Sequence, residues 1–161
     1  IEIMSGKLRS RSASISVDVP GNEIWVHGGQ VRLQQVLVNL ISNALDVEIK
    51  SVNTTEANTP EVNTPKVNTP KIEIRAGVND GRVKIEVRDN GKGLEEDIIN
   101  QIFDPFFTTK GINKGLGLGL SISYNIIRDF GGTLSARNHP DGGAIFTIEL
   151  NEAERVVGAA E

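Results

Sequence analysis

The sequence predicts an α+β fold, a two-layer α/β sandwich with one mixed, mostly antiparallel sheet and helices on a single face. Three observations carry that expectation. Alternating apolar residues gather into two hairpins after residue 70, and helical periodicities fall between the strands. The chain has 161 residues and is 38% hydrophobic, enough for one sizeable core and too little for two ordinary domains.

Residues 1–8 form a short amphipathic stretch. In residues 14–19, Ile15, Val17 and Val19 alternate with polar neighbours as in a half-buried strand, which Pro20 and Gly21 end. Residues 24–26 are a second short strand candidate. From Gln30, Leu33, Leu37, Ile41 and Leu45 recur at helical spacing with Val36, Leu40 and Ala44 beside them, predicting a helix to about Ile49. Composition then changes abruptly. Residues 56–70 are three tandem pentapeptides, EANTP, EVNTP and KVNTP, holding three of the six prolines. Proline at that spacing forbids a regular helix and suits a central strand poorly, so residues 50–71 read as an extended surface loop inserted into the domain. Ile72, Ile74 and Ala76 alternate, Asn79-Asp80-Gly81 supplies a turn, and Val83, Ile85 and Val87 alternate again, a β-hairpin. Residues 95–103 predict a short helix with acidic residues in its first turn, where the helix dipole favours them. Residues 118–130 predict another, stopped by Gly131-Gly132. Residues 133–137 and 144–150, joined by the turn at residues 139–143, close the sheet as a hairpin. The domain is expected over residues 1–150, with residues 151–161 as a tail.

Composition excludes several classes of function. A net charge of −4 with Lys and Arg spread thinly gives no electrostatic grip on nucleic acid or an anionic membrane, so neither is an expected partner. The absence of cysteine removes disulfides, thiolate metal sites and thiol nucleophiles. His27 and His139 are too far apart in sequence and context to suggest a zinc pair. No apolar run approaches the roughly 18–20 residues that span a bilayer.

Four motifs carry chemistry. Gln35, Asn39, Asn43 and Asp46 share one face of the long helix. Amides on an otherwise apolar helix suit oxygen coordination of a hard cation such as Mg²⁺, although a polar outer stripe has the same spacing. Asp89-Asn90-Gly91-Lys92-Gly93 follows a strand. It is either a simple reversal or a carboxylate at a strand end, placed to accept a hydrogen bond from an exocyclic amine such as that of adenine. Residues 103–110, FDPFFTTK, hold three of the five phenylalanines, either ordinary core or the anchor of a lid in which Lys110 or Lys114 reaches phosphate. Gly115, Leu116, Gly117, Leu118, Gly119 and Leu120 lead into a helix, where backbone N–H groups and the helix dipole favour anions. Taken alone that run is also plain flexible filler.

Together, NLISNALD (residues 39–46), DNGKG (89–93), FDPFFTTK (103–110) and GLGLGL (115–120) resemble the N, G1, F and G2 boxes of the sensor histidine kinase catalytic domain. The resemblance covers roughly residues 20–150 and implies the Bergerat ATP-binding (GHKL) fold shared with gyrase, the Hsp90 chaperone and the MutL mismatch-repair ATPase. Its F box and the following GLSISYNIIRDFGGTLSARN are most similar to the nitrogen-regulation and C4-dicarboxylate-transport sensor kinases. The implied activity is transfer of the ATP γ-phosphate to a histidine on a separate helical dimerisation domain, with a response regulator downstream. The implied location is a cytoplasmic domain of an inner-membrane sensor. The implied cofactors are ATP and Mg²⁺.

Carried over by residue, the resemblance makes Asn43 the metal ligand, with Asn39 and Lys110 also catalytic. Asp89 receives the adenine amine, and Gly91 and Gly93 shape its pocket. Asp46, Phe103, Phe107, Thr108, Lys110, residues 115–120 and Thr147 complete the nucleotide contacts. Where hydrolases of this fold resemble a rule of placing a general-base Glu, this chain has Asn39, so a GHKL-type ATPase is the first rival. A nucleotide-binding interaction module without catalysis is the second.

Overall fold

The computed structural model describes residues 4–47, 69–109 and 117–154. Their five-stranded sheet has the order β1-β2-β3-β5-β4, from β1 (Ser14–Asp18), β2 (Lys71–Asn79), β3 (Arg82–Asp89), β4 (Thr133–Asn138) and β5 (Ala144–Asn151). β1 runs parallel to β2, and every other pairing is antiparallel. The β1–β2 connection is therefore a crossover, and it carries the helix α2 (Gln30–Leu45). A short helix α1 (Ser5–Ser10) precedes β1, and α3 (Gly119–Asp129) precedes β4.

Register shows why the helices lie on one side. Val83, Ile85 and Val87 of β3 pair with Leu150, Ile148 and Phe146 of β5, which in turn meet Leu134 and Ala136 of β4. This apolar face packs against Val36, Leu40, Ile41, Ala44 and Leu45 of α2 and Ile126 and Ile127 of α3 in a single core. Full burial of such a side chain contributes on the order of 1.5–3 kcal/mol. The opposite face carries Glu73, Arg75, Lys84, Glu86, Arg88 and Arg137, ion-paired across strands in Arg88–Glu73 and Arg137–Glu86 and along one strand in Lys84–Glu86 and Arg75–Glu73.

Three sequence expectations are corrected. The predicted short strand at residues 24–26 is a single bridge, Val26 with Glu152, supported by the Ala153 N–H donating to the Trp25 carbonyl. Too few apolar residues alternate there to support a ladder. The helix expected to Ile49 ends at Leu45, where the Asp46 N–H bonds to the carbonyls of Ser42 and Asn43. Residues 95–103, expected as a helix, are successive turns. The Ile98 and Gln101 N–H groups reach back three residues, and the Ile102 N–H reaches back four. One such bond does not offset the cost of nucleating an isolated helix ahead of Pro105. The pentapeptides at residues 56–68 lie outside the described residues. Thr69 and Pro70 are held: the Pro70 carbonyl accepts from the Ser14 N–H, and the Thr69 carbonyl from the Asn90 side chain.

Candidate nucleotide site

At one end of the sandwich the last turn of α2, the end of β3, residues 93–109 and the start of α3 enclose a cavity of about 370 Å³. That volume lies in the range of small-molecule and cofactor sites. Val47, Leu94, Ile98, Ile102, Leu120 and Phe146 supply its apolar walls.

Asp89 is the one charged side chain among the described residues that line the cavity. It has the same parity as Val83, Ile85 and Val87, so its side chain turns to the helix side of the sheet. Only 3% of it is exposed. Its Oδ1 accepts the Gly91 N–H at 2.8 Å and the Ala144 N–H at 3.2 Å, and Oδ2 takes part in neither bond. Burial raises its pKa above the usual carboxylate value, opposed by those two hydrogen bonds and by the Arg88 charge. The neighbouring Asn90 turns away and ties the loop to β2, accepting the Lys71 N–H through Oδ1.

Gly91 lies beneath this carboxylate, and a Cβ there would stand 2.8 Å from the Val47 Cβ. A Cβ on Gly93 would stand 2.7 Å from Asn138 Oδ1, the atom that accepts the Leu94 N–H, while Asn138 Nδ2 donates to the Leu94 carbonyl. At the opposite end Gly117 has φ +67°, and a Cβ there would meet the Phe107 carbonyl oxygen at 2.5 Å. Gly117 is thus packed against the backbone of Phe106 and Phe107, in a conformation that disfavours other residues.

Of the residues singled out in the sequence, Asn43, Asp89, Gly93, Phe107, Thr108, Gly117, Leu118, Gly119 and Leu120 border the cavity. Lys110, Gly115 and Leu116 lie outside the described residues, as does Lys114. Others have different surroundings. Asn39 points to α3, donating to the Gly119 carbonyl and to Ser123 Oγ. Asp46 pairs with Lys7 and Arg11 near α1. Phe103 stacks on Tyr124 with ring centroids 5.3 Å apart. Thr147 corrects an expectation: it pairs with Glu86 and Ser135 on the far side of the sheet, opposite in parity to Phe146. Its shared parity with Glu149 was a legible warning.

Val47, Leu94, Ile98, Ile102, Thr109, Ala144 and Phe146 of the wall, and Asn138 behind it, are not among the residues the motifs single out. The i, i+4 spacing of Leu94, Ile98 and Ile102 was a usable signal for those three. Nothing local marked Asn138 or Ala144.

The arrangement offers one buried acceptor in an apolar slot, a polar amide from α2 on its wall, and backbone from a helix start at its other end. That combination suits a flat heterocycle bearing an amine and an anionic tail. Among the described residues no group of three or more His, Cys, Asp or Glu side chains is placed to hold a metal. Mg²⁺ fits such a wall because it keeps waters and shares phosphate oxygens, needing few protein ligands.

The chain is similar in sequence and fold to known proteins. Residues 28–154 match the family described as histidine kinase-, DNA gyrase B- and HSP90-like ATPase. The C4-dicarboxylate transport sensor protein DctB of Pseudomonas aeruginosa is 35% identical over 150 residues, 93% of this chain and 22% of that protein. The chain therefore spans about a fifth of that relative's length. Among solved structures, the catalytic domain of histidine kinase ThkA superposes with a TM-score of 0.73 at 28% identity, covering 95% of this chain and 89% of that one. Full-length ShkA in complex with AMPPNP superposes with a TM-score of 0.72 at 25% identity, covering 94% of this chain and 28% of that one. ThkA has also been solved in complex with the response regulator protein TrrA, matching with a TM-score of 0.67 at 27% identity over 94% of this chain and 38% of that one.

Proposed function

Because this chain belongs to the histidine kinase-, DNA gyrase B- and HSP90-like ATPase family, as a catalytic domain of the sensor histidine kinase type, we propose that it holds Mg-ATP for phosphoryl transfer to a histidine on a separate helical domain. The observation that carries this reading is Asp89, a buried carboxylate on the wall of a largely apolar cavity with Oδ1 already committed to backbone. Its Oδ2 accepts the adenine amine, and Leu94, Ile98, Ile102 and Phe146 sandwich the base. The α3 start, with backbone at Gly117 and Gly119, takes the phosphates. The AMPPNP bound to ShkA supports an adenine nucleotide as the ligand.

Asn43, on the wall between base and phosphates, is the side chain that would hold Mg²⁺. When bound, the ion neutralises phosphate charge. Lys110 or Lys114 completes the charge balance at the γ-phosphate, since no basic residue follows Asn43 within the N box. Phosphoryl transfer asks a protein mainly for position and charge. The nucleophile comes from elsewhere. His27 is exposed at the entry to α2, and His139 Nδ1 accepts the Asp141 N–H in a turn behind the sheet. Relatives that pair with response regulators, as ThkA does with TrrA, support such a partner downstream. No helix among the described residues is long and apolar enough to cross a membrane, and we place the domain on the cytoplasmic side of a sensor, where ATP is available.

The test is ATP binding with and without Mg²⁺. Asp89→Asn should weaken binding by about tenfold or more in either condition, because it removes a buried charged acceptor. Asn43→Ala should act chiefly when Mg²⁺ is present. If neither substitution weakens binding, the nucleotide site is wrong. With labelled ATP and a phosphoacceptor domain supplied in trans, label should appear on its histidine. A pure binding module leaves it unlabelled. The isolated domain should hydrolyse ATP negligibly, since the Asn39 amide cannot take a proton from water at neutral pH. Brisk turnover would favour an ATPase.

A further inference from the structure

Asn39 and Asn43 stand one turn apart on α2 yet meet different neighbours. Asn43 borders the cavity, whereas Asn39 reaches across the helix–helix contact. Its Nδ2 donates to the Gly119 carbonyl and to Ser123 Oγ, each at 3.2 Å. Ser123 is fully buried, and its own hydroxyl donates to the same carbonyl at 2.9 Å. Three atoms from two helices thus close a small hydrogen-bonded ring at the first turn of α3. The N-cap residue Leu118 has no side-chain capping bond, and the Ser121 hydroxyl, which donates to the Leu118 carbonyl at 3.0 Å, fastens the turn only within α3 itself. A buried polar group left without partners is costly, so removing one member of the ring disturbs the others.

We propose that Asn39 and Ser123 are positioning residues. Together they clip the first turn of α3 to α2 and so hold the backbone at Gly117 and Gly119 against the cavity. The inference rests on the nucleotide reading of that cavity, because it assigns the clipped turn a task in phosphate binding. It differs from a metal role for Asn39 in what it requires of the side chain. A clip needs the amide N–H₂, and a metal ligand needs oxygen.

The test uses Asn39→Ala, Asn39→Asp, Ser123→Ala and the Asn39→Ala/Ser123→Ala double variant in the full chain. ATP affinity is measured with and without Mg²⁺, and hydrogen exchange is followed at the amides of residues 119–123. A clip predicts that each single substitution weakens ATP binding about three- to tenfold. Asn39→Asp should behave like Asn39→Ala, the Mg²⁺ enhancement should match wild type, and exchange in the first turn of α3 should quicken. The double variant should be no worse than about twofold beyond the weaker single, because both belong to one unit. The proposal is overturned if Asn39→Asp binds Mg-ATP as well as wild type while Asn39→Ala loses the Mg²⁺ enhancement, the pattern of a metal ligand. It is equally overturned if Ser123→Ala leaves affinity and exchange unchanged, or if the two effects multiply. If the wild-type chain fails to bind ATP, the nucleotide reading falls, while the exchange measurements still decide whether the clip exists.

Discussion

Asp89 sits where burial and hydrogen bonding oppose each other, and the balance has a consequence for pH. Desolvation raises its pKa above 3.8, against the bonds from Gly91 and Ala144 and the Arg88 charge. A carboxyl with a raised folded-state pKa adds stability below the unfolded value, and that stability is lost as pH rises through the folded value. In urea titrations without nucleotide, Asp89 should therefore lower stability progressively as pH climbs from about 4 to its raised pKa. Asp89→Asn should flatten that part of the profile. ATP affinity should move the other way, strengthening as the carboxylate ionises, and the variant should lose this rise. A wild-type affinity flat across the same interval would show that the ionised oxygen is not the acceptor. At this scale the DNGKG motif was informative, because a carboxylate followed by glycines at a strand end is a local pattern. The bonds that hold it were not legible, since Ala144 lies 55 residues away.

Elements stop and start for reasons that single residues supply. α3 ends where Gly131 takes φ +71°, with its N–H on the Arg128 carbonyl and the Gly132 N–H on the Ile127 carbonyl, the two bonds of a Schellman cap. The two glycines are needed for different reasons. A Cβ on Gly131 meets nothing, so Gly131→Ala should cost only about 1 kcal/mol for its left-handed backbone. A Cβ on Gly132 would drive into the Glu149 carbonyl and the Leu150 side chain, so Gly132→Ala should cost more, about 2–3 kcal/mol. Thermal unfolding of the two variants checks the order. The sequence predicted this stop from Gly131-Gly132 without distinguishing the two. Residues 95–103 show the opposite case. Leu94, Ile98 and Ile102 reach the cavity as a helix face would, although the hydrogen bonds between them are mostly those of turns. Apolar spacing reports which side chains are buried, and it does not report whether a short segment can meet the cost of nucleation.

Across the whole molecule, the cavity is an end of the sandwich where α2, β3, β5 and α3 converge, and the core beneath it holds them in place. Leu40 is fully buried between α2 and the sheet, and Leu40→Ala should cost about 2–5 kcal/mol by urea unfolding. The pentapeptide insertion has the contrary expectation. Its return to β2 is fixed by Thr69 and Pro70, through bonds to Asn90 and Ser14 that belong to the folded domain. Deleting residues 56–68 while keeping Thr69 and Pro70 should leave ATP affinity within about twofold, because loop-closure entropy changes slowly with length. A larger loss by calorimetry would give the insertion a part in the site. By itself the sequence determined the fold class, the order of the main elements and the four nucleotide motifs, because periodicity and motif order are properties of neighbouring residues. Only the tertiary structure decided that Asn43 borders the cavity while Asn39 fastens α3, that Thr147 faces away, and that Asn138 and Ala144 support the site. Those choices follow from strand register and helix contact, which arise between segments far apart in the chain.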